Sequence, residues 1–516
     1  MINLLPATCT PAGQAQFILN DLTADGYIGG QGYYGNVALG TTAAVAGTDV
    51  FKNGARYTQT GRLRLYDATS ALPAGAVWQG GMPFSSDGQL CIDTGTVTNA
   101  TYINGKAVGA KGLYAFAYTE FVATPTNLLP AGFSLTRAAP ANGTSFDSTG
   151  TLVTAAIDSA RGTYRWNGSA WVFDGTIVEA AATNLWLQSE VVASWSSFSL
   201  NAATQLANQY VAPTGATTVD QITATAGNAQ HFVVGANATT GAGTWTVSVY
   251  LRYDNHQWVQ IHLNDGTNVS AAAFDLQNGV VGAVTGGYTS AITNVGNSLY
   301  RCSISGTLAF ASASMYLCFL GSNTASPAPN YNAAGTEKFG VWGAQLELGS
   351  AATSYIATAA ASATRAADVL TAPVSGLLVN GQGFAAIGYR TIAGESTDNE
   401  CIITTYSGSG GIPLRRVSTA LALFDGTANR ALGLVLPNVA GTAYKAATTW
   451  GGSACNGAVN GVVGTPAAFD GSMDLGATLR IGDNVSALYL PLSMVLQSLR
   501  LGLTAASSAQ LTTFTT

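Results

Sequence analysis

Sixty-one glycines, abundant Thr, Val and aromatic residues, and almost no 3.6-residue apolar period predict an all-β protein. Thr, Val and Tyr suit a pleated, half-buried surface, while Gly supplies turn positions with positive φ. At 516 residues the chain is too long for one hydrophobic core. Several β-sandwich or jelly-roll domains in series are therefore expected. A single short helix is predicted over 504–512, where Ala505, Ser508 and Leu511 recur three apart.

Residues 1–125 alternate strand-like runs, such as 61–66 and 100–103, with Gly-rich turns. Asn104-Gly105 reads as a two-residue hairpin turn. Thr124-Pro125-Thr126 marks a boundary, after which Asn-Leu-Leu-Pro-Ala at 127–131 repeats residues 3–7. Residues 126–180 are polar and turn-rich and read as a linker or leader. Within them Tyr164 to Phe173 form a small aromatic hairpin around Asn167-Gly168, too small to stand alone in water. Residues 181–365 carry strand-like runs at 221–224, 245–253, 257–263, 300–308, 315–320 and 338–346, the spacing of a sandwich. A second β domain occupies 371–516, with runs at 383–389, 401–406, 420–424, 458–460, 478–482 and 496–503.

Charged residues make up 9% of the chain, with 20 Lys and Arg against 26 Asp and Glu. Neutralising a phosphate backbone takes a basic face that this composition does not supply, so nucleic acid is not expected as a partner. No apolar run approaches the ~20 residues of a membrane-spanning helix, so membrane insertion is not expected. The start, Met1-Ile2-Asn3-Leu4-Leu5-Pro6, carries no basic segment followed by an apolar one. The six cysteines have no CxxC spacing and read as free thiols; Cys302 and Cys318 are the pair that neighbouring strands would bring face to face.

Asn184-Leu185-Trp186-Leu187-Gln188-Ser189-Glu190, Thr246 to Tyr250, Asn294 to Cys302, and Trp342-Gly343-Ala344-Gln345-Leu346-Glu347-Leu348-Gly349 together resemble a module common in tail and fibre proteins of tailed bacteriophages. The last leads into Thr353-Ser354-Tyr355-Ile356 and Thr364-Arg365-Ala366-Ala367-Asp368. The stretch before them resembles the leader that accompanies this module, at Phe133-Ser134-Leu135-Thr136-Arg137-Ala138, Phe146 to Gly150 and Leu152 to Ala156. The resemblance covers roughly 132–370 and implies a jelly roll of carbohydrate-binding type. From about 371 the chain resembles a concanavalin A-like, laminin-G-type sandwich, at Ala458-Val459-Asn460-Gly461-Val462 and Leu479-Arg480-Ile481-Gly482. By analogy, residues 1–125 would anchor the protein to a particle.

The residues that could carry chemistry are few. In 257–263, Val259, Ile261 and Leu263 share one face and Trp258, Gln260 and His262 the other; in 245–253, Ser248, Tyr250 and Arg252 oppose Val247, Val249 and Leu251. A three-residue loop, Asp254-Asn255-His256, would join the two runs as a hairpin with both apolar faces on one core. That hairpin would gather Tyr250, Arg252, Trp258, Gln260 and His262 into one outward patch. Such a patch suits a sugar, whose C–H groups lie on aromatic rings while polar side chains bond its hydroxyls; it equally suits a subunit interface.

Glu395, Asp398 and Glu400 follow E-x-x-D-x-E, the reverse of the E-x-D-x-x-E strand motif of concanavalin A-like glycoside hydrolases, and read as an acidic loop. No cofactor is expected. The laminin-G-type resemblance makes Asp425, Asp470 and Asp483 the residues from which a Ca²⁺ site would be drawn. With three histidines and no nucleophile elbow, phosphate loop or HExxH, catalysis is not expected.

The resemblance implies a fibre-like structural appendage of a tailed phage. It would be a homotrimer in the virion, joined to other tail or capsid proteins, with a host cell-surface polysaccharide as ligand of its C-terminal sandwiches. A capsid decoration or head-fibre protein without a specific ligand and a polysaccharide depolymerase are the alternatives. The latter commonly uses a rung-repeating β-helix, and no such period is visible here.

Overall fold

The computed structural model describes residues 119–516, apart from 141, 239–240, 267–268, 309–311, 394–399, 407–409 and 483–489. Of residues 1–118 it describes only short strands. The chain divides into two compact units, 1–119 with 502–505, and 120–501 with 506–516. In the first, Thr101–Ile103 pairs with Lys106–Val108, with Ile103 opposite Lys106; the Asn104-Gly105 turn predicted between them lies outside the described residues.

The second unit contains two sandwiches. The jelly roll is made of two antiparallel six-stranded sheets. One runs in the order Ala203–Val211, Thr217–Ala224, Lys338–Leu348, Gly243–Tyr253, Leu299–Leu308, Thr289–Asn294. The other runs Ser199–Asn201, Phe232–Ala238, Ser312–Leu320, Trp258–Asn264, Val269–Asp275, Val280–Val284. Alternate residues of both close on one core that includes Val247, Val249, Leu251, Val259, Ile261 and Leu263, so the period-2 reading of these two runs matches their burial. Trp186 and Trp195 meet edge to face at 5.4 Å in the same core.

The other sandwich is built largely from the C-terminal residues, around a core that includes Leu414, Trp450, Leu479 and Leu496. Gln382–Ala393, Ala443–Gly451, Ala454–Val459 and Ser493–Gly502 form the middle of one sheet; Thr478–Ile481, Glu400–Thr404, Ile412–Val417 and Ala420–Phe424 form that of the other. Asn460 and Gly461 both take positive φ, +46° and +84°, between Val459 and its partner Val462, which accounts for the Asn-Gly pair at this hairpin. The helix lies later than the three-residue spacing predicts, at Ser508–Thr515. Ser507 caps it, accepting from the Gln510 amide while the Gln510 side chain accepts from the Ser507 amide. Its Phe514 stacks on Phe384 at 4.9 Å.

Residues 126–180, expected to be a linker, are woven into this sandwich. Ser134–Thr136 pairs with Val369–Pro373, and Trp171–Val178 pairs with Ser493–Gly502. The aromatic hairpin forms, with Trp166 opposite Trp171, but it is the outer part of a sheet whose next strand comes from the C-terminal end. A two-stranded ribbon cannot bury its own apolar face, and this one does so by sheet extension.

A cluster of buried charge lies where leader, jelly roll and sandwich meet. The Asp368 carboxylate accepts from Arg137 Nη1 at 2.7 Å and from Arg161. Arg161 also pairs with Glu179 at 2.8 Å, and Glu179 lies 3.5 Å from Arg365. All five side chains are fully buried. Three cations face two anions, and the surplus positive charge is met by backbone carbonyls: Thr144 O accepts from Arg161 at 2.9 Å and Ala180 O from Arg365 at 2.6 Å. Burial alone would raise the Glu179 carboxyl, yet Arg365, Arg161 and the Ser354 hydroxyl and amide hold it down to about 2.

Removing one partner from such a cluster strands the rest in low dielectric. Asp368→Asn is expected to cost about 3–5 kcal/mol, read as a lowered urea midpoint at unchanged slope. Because the folded-state Glu179 takes its proton near 2 and the unfolded one near 4.5, its contribution is complete above about pH 4.5 and drains away as pH falls towards 2. A midpoint unmoved by the substitution would contradict this account.

Candidate functional site

The strands that carry the five predicted binding residues do not form a hairpin. Gly243–Tyr253 is flanked on one edge by Leu299–Leu308 and on the other by Lys338–Leu348, so no edge is left for Trp258–Asn264. That strand lies in the opposite sheet, between Ser312–Leu320 and Val269–Asp275. Two strands whose apolar faces share a core satisfy the alternation equally well from facing sheets as from one sheet. Residues 254–257 are a crossover. Asn255 anchors it, accepting from the Lys338 amide at 2.7 Å and donating to Thr336 O at 2.9 Å, and His256 is buried between Phe319 and Tyr331.

The predicted patch is thereby split between opposite faces of the jelly roll. On one face, Tyr250 is sealed. It is 1% exposed, packed edge to face against Trp342 at 5.3 Å and Tyr355 at 5.8 Å, in a cluster with Leu152 of the leader, against which Phe146 and Trp171 pack. Gly343, at φ +63°, bulges the neighbouring strand beside it; a Cβ there would lie 2.9 Å from the Tyr250 ring. Arg252 stacks over Tyr210 at 4.1 Å, while the Tyr210 hydroxyl donates to Asp254 at 2.6 Å. Tyr250 is thus packed against residues of its own chain.

Trp258, Gln260 and His262 point outward from the second sheet. Gln260 is fully buried and committed: its amide group donates to Ser326 O at 3.0 Å and its oxygen accepts from the Ala328 amide at 2.9 Å, pinning the loop after Ser312–Leu320 onto the sheet. Trp258 is half-buried beside Gly282, where a Cβ would come within 2.7 Å of the indole. His262 stacks on Tyr316 of the adjacent strand, centroids 4.8 Å apart and planes 19° apart. Tyr316 in turn meets Phe232 edge to face at 5.1 Å on the strand beyond. Tyr316 and Phe232 are both half-buried; Tyr316 lies between Val234 and His262 on its flanking strands, Phe232 lies opposite Cys318, and Ala236 pairs with Ser314 one step along.

His262 is 7% exposed, and neither of its ring nitrogens has a hydrogen-bond partner in the protein. Burial pushes it down to about 4, so it is neutral at pH 7 and carries one N–H donor and one lone-pair acceptor, both unused. Buried polar groups are nearly always bonded, so an unbonded imidazole beneath a half-buried tyrosine makes this face the candidate site. Tyr316 and Phe232 escaped the sequence reading. Period-2 alternation puts each outward, but only the strand order, with Ser312–Leu320 between the other two strands, makes them neighbours of His262.

The carboxylates go elsewhere. Glu400 is buried and paired with Arg416 at 2.7 Å, while Glu395 and Asp398 lie outside the described residues. Asp425 accepts from the Thr427 and Ala428 amides and from Arg430, which hold its carboxyl low against the effect of burial, and Asp470 accepts from Thr427 Oγ1 at 3.0 Å. A guanidinium thus sits where a cation would, and among the described residues no three His, Cys, Asp or Glu side chains converge. Asp483 lies outside them. Cys302 and Cys318 sit in opposite sheets of the jelly roll, and both are free thiols.

No family model matches the chain, and no curated protein matches it by sequence. Among solved structures it is similar to domain 4 of AbnA, a GH43 extracellular arabinanase from Geobacillus stearothermophilus, in complex with arabinotriose. Identity is 16%, covering 29% of this chain and 73% of that one, with a TM-score of 0.25. It is also similar to domains LG4-5 of the mouse laminin alpha1 chain, with 12% identity covering 63% of this chain and 90% of that one, and a TM-score of 0.19.

His262 makes a definite pH prediction. The unfolded imidazole takes a proton near 6.5 and the folded one near 4, so between those values the unfolded state binds more protons and stability falls as pH drops. His256, also lowered chiefly by burial, adds in the same direction. His262→Phe keeps a ring on Tyr316 and removes the titration. Its thermal midpoint should therefore fall less between about pH 6.5 and pH 4 than that of the parent chain. Parallel pH curves for the two proteins would refute the assignment.

Proposed function

We propose that this chain is a non-enzymatic glycan-binding protein, a fibre-like appendage of a tailed-phage virion that holds host surface polysaccharide on the outer sheet of its jelly roll. The observation that carries the binding reading is the unbonded imidazole of His262 under Tyr316, in line with Phe232. Phe232 and Trp258 offer apolar ring surface to sugar C–H groups. A rotation of the half-exposed Tyr316 opens His262 to a hydroxyl, which can both accept from and donate to a neutral imidazole. Exposed rings change rotamer on fast timescales, so this opening is not a kinetic obstacle.

The virion assignment rests on the motif resemblance over roughly 132–370, and homotrimeric assembly with other virion proteins follows from the same resemblance. The weave of the leader into the C-terminal sandwich supports a rigid two-sandwich head. Glu400, the described member of the acidic run, is locked to Arg416.

Glycan-array and calorimetric binding by the purified full chain test the reading. Tyr316→Ala and Phe232→Ala are each expected to weaken binding by about ten-fold or more, the scale of a central aromatic contact. His262→Phe should weaken it with the fold retained. Wild-type affinity in all three variants would remove this face from consideration, and sugar release from host polysaccharide would overturn the non-enzymatic reading. Electron microscopy of the particle decides its place in the virion.

A further inference from the structure

The sheet that carries this face has a distinctive charge pattern. Its six strands, Ser199–Asn201, Phe232–Ala238, Ser312–Leu320, Trp258–Asn264, Val269–Asp275 and Val280–Val284, contain no Lys, Arg or Glu. Their one charged residue, Asp275, ends its strand and is held by Gln257 and Asn278, each at 2.7 Å. The opposite sheet, partly covered by the leader, carries Asp220, Arg252, Arg301, Lys338 and Glu347 in its strands.

We infer that the ligand of this face is an uncharged glycan segment, lying across the strands over Phe232, Tyr316 and His262 and recognised through rings and hydroxyl hydrogen bonds alone. The inference rests on the glycan reading given above and narrows it to a chemical class. Recognition of a uronate, sialate or phosphate group relies on a guanidinium or ammonium partner, because an anion brought onto an apolar surface without one loses its hydration uncompensated. None of the six strands offers such a partner. A sugar hydroxyl is neutral and both donates and accepts, which matches what a neutral imidazole and the side chains of Ser314 and Asn264 provide. Three adjacent strands at ~4.8 Å spacing give a run of about 10 Å, room for about two sugar rings. The ligand is thus a short stretch of a longer chain.

Affinity electrophoresis of the full chain through gels containing neutral hexose polysaccharides, or polymers bearing uronate or phosphate, tests this. The expected result is retardation by at least one neutral polymer, with affinity changing less than about two-fold between about 0.05 and 0.5 M salt, and loss of retardation in Tyr316→Ala. Retardation only by acidic polymers, or binding that collapses with salt, would overturn the uncharged-ligand inference while leaving glycan binding intact. Retardation by none would overturn both. Sedimentation of Tyr316→Ala completes the test: a lower oligomeric state than the parent would show that the occupant is a second copy of this chain, which overturns both as well.

Discussion

The second unit depends on the buried charge that ties Arg137, Arg161 and Glu179 of the leader to Arg365 at the end of the jelly roll and Asp368 at the start of the C-terminal strands. Desolvating two carboxylates and three guanidiniums is expensive, and hydrophobic residues of like volume would often do as well for stability alone. What the cluster adds is geometry. Each guanidinium has fixed donor directions, so the leader can dock in one register only. That register lets Ser134–Thr136 pair with Val369–Pro373 and Trp171–Val178 with Ser493–Gly502. The order of the chain, with the jelly roll inserted between the leader and the remaining strands of the sandwich, is possible because the two sides of the insertion are clamped together.

The sequence segments 184–190, 342–349, 353–356 and 364–368 converge on the same junction. Arg137, Ser354, Arg365 and Asp368 lie in the charge cluster. Asn184 accepts from the Trp186 and Leu346 amides and donates to Ala344 and Ile356 carbonyls, and Gln345 bonds Glu347 and the Ile356 amide. Gly343 makes the bulge that Tyr250 and Tyr355 fill. Motifs of this kind describe a junction, since buried polar networks and positive-φ bulges tolerate few alternatives. Phe232, Tyr316 and His262 lie outside those segments.

This explains what was legible in the sequence and what was not. Strand positions were readable because alternation is local: 245–253 and 257–263 each show which residues face the core. Partnership was not readable, because an apolar face is satisfied by any arrangement that turns it inward. Tyr250 and Arg252 were joined to Trp258, Gln260 and His262 on the assumption that consecutive strands pair; the two edge partners of Gly243–Tyr253 come instead from 46 or more residues downstream in the chain. The leader looked like a linker for a related reason. Its strands are short, its polar turns frequent, and the strands that complete its sheets lie at the far end of the sequence.

A jelly roll has two outer faces, and here they have diverged in kind. The face under the leader packs large rings into a closed cluster, where Tyr250 and Trp342 leave no room for a ligand. The opposite face keeps its rings half-open. Gln260 and His262, two residues apart on one strand, show the difference at the smallest scale. Gln260 is satisfied by a loop of the chain itself, so its burial stabilises the fold; His262 is buried and unsatisfied, a cost to stability that the fold does not recover. A ligand that bonds this imidazole, as proposed above, would recover that cost.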